Sequence, residues 1–225
     1  METWHYRLPF ILHAAGHLYY LFKQVNQSHT APVYVFLPVM IITSGCAIDN
    51  IRLSLGTTSI GKILSYVSFF LHVTAVPLGI IFITHITEAF SSIVGKEIIW
   101  NMVRVAAYLI TTALVLDGFV IFYGEVWGKL VVKPTFYSPL SQFGLHQTPQ
   151  RFLLGVIVLS IWLLVCGALY WYEKADNSVF LIQLFCFLSQ AVTPQLVRKS
   201  WLMQIMNLFE VLVVGNIVNI MIDVY

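Results

Sequence analysis

The stretch Gly61–Glu88, GKILSYVSFFLHVTAVPLGIIFITHITE, decides the fold. It is long enough to cross a bilayer, whose hydrocarbon core takes roughly 20 apolar helical residues. One histidine, His72, stands in the middle of otherwise apolar sequence. Ser65, Ser68, His72, Ala75 and Gly79 follow steps of three and four residues, so they share one helical face. That face is small and polar, while the others are Phe, Leu, Ile and Val. A small face lets a second helix approach closely, and a polar group at that depth needs a partner.

The rest of the chain has the same character. Of its 225 residues, 59% are apolar and only 10% are charged, and the mean hydropathy is +0.83. A soluble domain carries about 25% charged residues. The expectation is an all-α, multi-pass integral membrane bundle forming one transmembrane domain over residues 1–225. Nothing in the composition names the membrane. The net charge of +2 comes without a dense basic patch, so nucleic acid is excluded as a partner. Cys46, Cys166 and Cys186 lie inside apolar runs without paired spacing and read as packing residues.

Seven apolar runs are legible: Leu8–Phe22, Pro32–Ile48, Gly61–Glu88, Met102–Tyr123, Phe152–Tyr172, Val179–Val197 and Leu202–Ile222. The first resembles a signal peptide, but no cleavage site follows its apolar core, so it reads as a retained span or an interfacial helix. With the first run interfacial, six spans remain. A spanning segment must satisfy its backbone polar groups internally, and these runs do not alternate as barrel strands do, so they are helices. Trp4, Tyr19, Tyr20, Trp100, Tyr123, Trp127, Trp171, Tyr172 and Trp201 fall near run ends, where amphipathic rings favour the headgroups; Trp162 is the exception, at mid-span. With seven spans, Arg7, Arg52, Lys62, Lys129, Lys133, Arg151, Arg198 and Lys199 share one side, and Lys23, Lys96, Arg104 and Lys174 the other. The richer side is expected to be cytoplasmic.

Ionisable residues inside spans are functional candidates by default, because their burial is costly unless they are paired or wetted. His72 lies ten residues past Lys62, roughly 15 Å along a helix and near the midplane. Asp49 ends the second run, and Asp117 precedes the end of the fourth on the same side. Asp49, His72 and Asp117 are therefore expected to meet in the cytoplasmic half as an acid–base cluster, and they are the catalytic candidates. His85 and Glu88, three apart, are a secondary pair. His13 and His17 share a face near the headgroups, but two histidines without a placed third ligand do not make a metal site, and none is assigned. Asn216, Asn219 and Asp223 form a stripe suited to bridging helices. His72 and His85 lie about 220° apart around a helix, so they do not specify stacked haems. The cofactor is left unspecified.

No hydrolase elbow, zincin motif, phosphate loop, dinucleotide loop, voltage-sensor series or channel filter is present. The leading reading is an enzyme or binding protein acting on a lipid-like small molecule that arrives through the bilayer. The alternative is a non-catalytic assembly subunit with a membrane-protein partner. A proton-coupled transporter relaying through His13, His72, Asp117 and Asp223 ranks last, because no internal repeat supports it.

Overall fold

A computed structural model of the chain describes residues 4–26, 32–91, 96–134, 141–147, 151, 154–185, 188 and 200–224. The elements are α1 (Trp4–Asn26), α2 (Val33–Leu55), α3 (Ser59–Thr74), α4 (Leu78–Phe90), α5 (Lys96–Ile121), β1 (Val131–Pro134), β2 (Ser141–Gly144), α6 (Leu154–Lys174), α7 (178–185) and α8 (Ser200–Val224). The all-α expectation holds apart from one short hairpin in the loop after α5. There β1 and β2 pair antiparallel, with Val131 opposite Gly144 and Pro134 opposite Ser141.

Two helices organise the packing. α2 lies against α1, α3 and α4, and α4 lies against α2, α5, α6 and α8. The larger apolar core draws Val35 and Val39 from α2, Phe82, Ile83 and Ile86 from α4, and Leu163, Val214 and Val218 from α6 and α8. A smaller core closes the hairpin end, where Val73 meets Ile121, Phe122, Val126, Leu130 and Leu145. α5 runs on into a π turn, Phe122–Val126, whose Phe122 packs edge-on against Phe70.

The distribution of polarity is the reverse of a water-soluble protein's. His17, Gln24 and Thr43 are 0% exposed, whereas Leu109 is 67% exposed. On α5, Met102, Val105, Leu109, Leu116 and Val120 form an exposed stripe at helical spacing, and Ile157, Ile161 and Val165 repeat the pattern on α6. Such stripes suit hydrocarbon, and the buried hydroxyls and amides pair with one another inside. Gln24 Nε2 donates to Thr43 Oγ1 at 2.8 Å. The mid-span Trp162 follows the same logic, its indole N–H donating to Thr84 Oγ1 at 2.8 Å.

By length and composition, α2, α5 with its π turn, and α6 are each able to cross a membrane; the bent pair α3 and α4 makes a fourth if counted as one span. The bundle is thus compatible with a membrane, while a count of seven spans is not supported among the described residues. The run Val179–Val197 and the basic pair Arg198 and Lys199 lie largely outside those residues. α1 is as long as α2, at 23 residues, and packs against α2 and α8.

The stretch Gly61–Glu88 is not one straight helix. It breaks over residues 75–77, and α3 and α4 meet at 49°. Pro77 explains the break: it has no N–H for the carbonyl of Val73, and its ring opposes a continuous helix. The Val76 N–H turns back to Leu71 O at 3.2 Å, and Thr111 Oγ1 donates to Pro77 O at 3.2 Å. The expected small face is nonetheless buried at Ser65, Ser68, Ala75 and Gly79.

Gly118 of α5 sits directly on the break. A Cβ there would lie 2.1 Å from Val73 O, in hard conflict with backbone. Gly118→Ala is therefore expected to destabilise the bundle by about 1–3 kcal/mol, read as a lowered thermal midpoint in detergent micelles. Gly124→Ala, with nothing within 4 Å of the added atom, is the matched control and should move the midpoint little. Equal effects from the two would contradict this account of the helix contact.

Candidate functional site

The turn from α2 to α3 builds the first half of the site. Gly56 adopts a positive φ of 62° after α2, and a Cβ there would come within 3.1 Å of Ser141 O in β2. Thr58 then caps α3, its hydroxyl accepting from the Gly61 N–H at 3.0 Å. This tight reversal sets Asp49 and Arg52 of α2 against Ser68 of α3.

Arg52 is buried and touches four side chains. Its Nη2 lies 2.7 Å from Asp49 Oδ1, and its Nε donates to Asp49 at 2.8 Å and to Ser68 at 3.1 Å. Its Nη1 donates to Gln142 Oε1 of β2 at 3.3 Å, and the guanidinium lies 5.3 Å from the Phe69 ring centre. Ser68 Oγ donates to Asp49 Oδ1 at 2.5 Å. Lys133 of β1 approaches from the hairpin, donating to Leu145 O at 2.6 Å. Burial, and then the positive charge of Arg52, hold its ammonium below the usual lysine range.

His72 stands one turn beyond Ser68, within electrostatic reach of both Asp49 and Arg52. It also lines a cavity together with Val73, Pro77, Leu114, Asp117, Gly118 and Arg151. Measured to the centre of a water-sized sphere, the cavity volume is about 10 Å³, room for one water molecule. Asp117 is ion-paired with Arg151, whose Nε lies 3.3 Å from Asp117 Oδ2.

The grouping expected from depth is therefore refined. His72 and Asp117 line one cavity. Asp49 is within electrostatic reach of His72 and is absent from the cavity wall. Both carboxylates carry a guanidinium partner, Arg52 and Arg151, which the sequence places only as loop charges. Ser68 and Gln142 complete the network; Ser68 is foreshadowed by its place on the small face, and Gln142 by nothing local.

His85 and Glu88 lie at the other end of the bundle. His85 Nε2 is 3.1 Å from Tyr108 Oη, and its Nδ1 is 3.9 Å from Glu88, which also pairs with Arg104 at 3.6 Å. They contribute nothing to the His72 centre. In the Asn216–Asp223 stripe, Asn219 Oδ1 accepts from Lys23 Nζ at 2.7 Å, tying α8 to α1.

A second polar group lies where α1, α2 and α8 converge. The ligand atoms of His17, Cys46 and Glu210 all fall within 4.8 Å of one another. The headgroup position expected for His17 is corrected: helix packing takes it fully into the interior. Cys46 is likewise more than packing, since its sulfur lies beside the Glu210 carboxyl. Glu210 is missed by the sequence reading, although an acid within the run Leu202–Ile222 is itself the signal.

Removing one partner of a partly buried pair leaves an uncompensated charge, screened here by the partial exposure of Asp49. Arg52→Met and Asp49→Asn should each cost about 1–3 kcal/mol of stability. The double variant should cost clearly less than their sum, as measured by unfolding in micelles. Strict additivity would mean that the pair is not a coupled unit. The chain matches no family model, and neither a curated protein nor a solved structure matches it.

Proposed function

We propose that the chain is a multi-pass integral membrane protein that binds or transforms a lipid-like small molecule, with His72 as its acid–base group. One observation carries this reading: an imidazole faces a water-sized cavity at the break of an apolar helix pair, flanked by two carboxylate–guanidinium pairs. A neutral imidazole beside a water can take a proton from it or return one. Asp49 and Asp117 then act as positioning residues, since each is already engaged by an arginine. The cavity has room for no more than a water molecule, so a chain-bearing substrate must approach from the lipid side. Asp117 and Arg151 stand at the exposed edge of the cavity, so their pair is the part that must yield.

The alternative, a structural subunit, is favoured by the saturation of both carboxylates, which suits a bridge as well as a reaction. A photoreactive diazirine fatty acid, added to membranes containing the protein, separates the two. The first reading expects labelled peptides from α3 and α5 around His72 and Asp117. It also expects labelling to fall at least five-fold in His72→Phe, which fills the cavity, with the thermal midpoint within a few degrees of wild type. Absence of labelling there in wild type, or labelling unchanged by His72→Phe, leaves the structural role.

A further inference from the structure

We propose that His17, Cys46 and Glu210 form a site for a divalent transition-metal ion of the zinc kind. The three residues come from three helices, α1, α2 and α8, and supply one nitrogen, one sulfur and one oxygen. This mixed donor set matches zinc chemistry, with bonds of about 2.0–2.1 Å to nitrogen and oxygen and about 2.3 Å to sulfur. Around a tetrahedral ion such bonds hold the ligand atoms roughly 3.3–3.7 Å apart. The observed 4.8 Å limit is within a small rotamer adjustment of that spacing.

An independent observation points to a ligand. His17 is 0% exposed, and among the described residues neither of its ring nitrogens has a hydrogen-bond partner. A neutral imidazole carries one donor and one acceptor, and buried groups of this kind are normally satisfied. A metal on one nitrogen answers the acceptor. His13, one turn earlier on the same face, also has a buried Nδ1 without a hydrogen-bond partner among the described residues, though it lies outside the three-residue cluster.

Charge balance favours the same conclusion. A dication bound by neutral His17, the Cys46 thiolate and the Glu210 carboxylate forms a neutral unit, which suits a medium that penalises net charge. Binding breaks the Cys46 S–H bond and forms a metal–sulfur bond, and the thiol proton leaves to solvent. Where Glu210 begins protonated, a second proton follows. No electron is transferred. None of these residues touches the His72 cavity, so the site stands or falls separately from the function proposed above.

Purified full-length protein in detergent, titrated with Co²⁺ as a spectroscopic substitute, tests the site. A near-ultraviolet thiolate-to-cobalt charge-transfer band at about one equivalent is expected, with displacement by Zn²⁺. Cys46→Ser should abolish the band, while His17→Gln and Glu210→Gln should weaken binding at least ten-fold. Cys166→Ser, altering a cysteine outside the cluster, should leave it intact. No band in wild type, or a band that survives Cys46→Ser, overturns the proposal. If the variants fail to fold, wild-type protein decides: Zn²⁺ should slow maleimide modification of Cys46, mapped by mass spectrometry, and a chelator should restore the rate. A rate indifferent to Zn²⁺ overturns the site equally.

Discussion

Arg52 is where the hairpin end of the bundle is fixed. A guanidinium in an apolar interior is tolerable only if its donors are used. Here they are distributed over Asp49 on its own helix, Ser68 on α3 and Gln142 on β2. One side chain thereby sets the angle of the α2–α3 turn and seats the hairpin over it. His72 inherits its position from this arrangement, one turn along α3 from the serine that Arg52 holds. The net stability gained from such a pair is limited, because desolvation offsets much of the attraction.

The break after Thr74 does complementary work. Pro77 leaves the Val73 carbonyl without its usual donor, and Gly118 alone lets α5 come up against it. Asp117 is the neighbour of that glycine, so the close approach of α5 to the break also delivers a carboxylate to the cavity beside His72. Backbone irregularity at membrane depth is sustainable where it is covered by protein or lines a polar space. Both conditions are met here, the first by Thr111 and Gly118 and the second by the cavity itself.

Much of this was legible in the sequence, and the limits were physical. Helical class followed from run length and lack of alternation, since a bilayer leaves few options. Depth placed Asp49, His72 and Asp117 at one end, because residue count converts directly to rise along a helix. Lateral neighbours were not legible: rise says nothing about rotation, so the arginine partners and the absence of Asp49 from the cavity wall depended on packing. The bend had a signal in Pro77 that a continuous apolar count conceals. Glu210 was concealed in the same way, a single acid averaged away among Leu, Val and Ile. His17 went astray because an i, i+4 pair near a chain end looks interfacial until a third helix covers it.

The 49° angle between α3 and α4 also bears on bilayer thickness. Straight, residues 59–90 would reach roughly 48 Å, far beyond a hydrocarbon layer of about 30 Å. Folded at the break, with α3 upright, the same residues rise only about 40 Å. The mismatch that a single rod would impose on surrounding lipid is thereby reduced inside the protein. A chain with so long an apolar run then strains an ordinary bilayer less than a straight helix of the same length would.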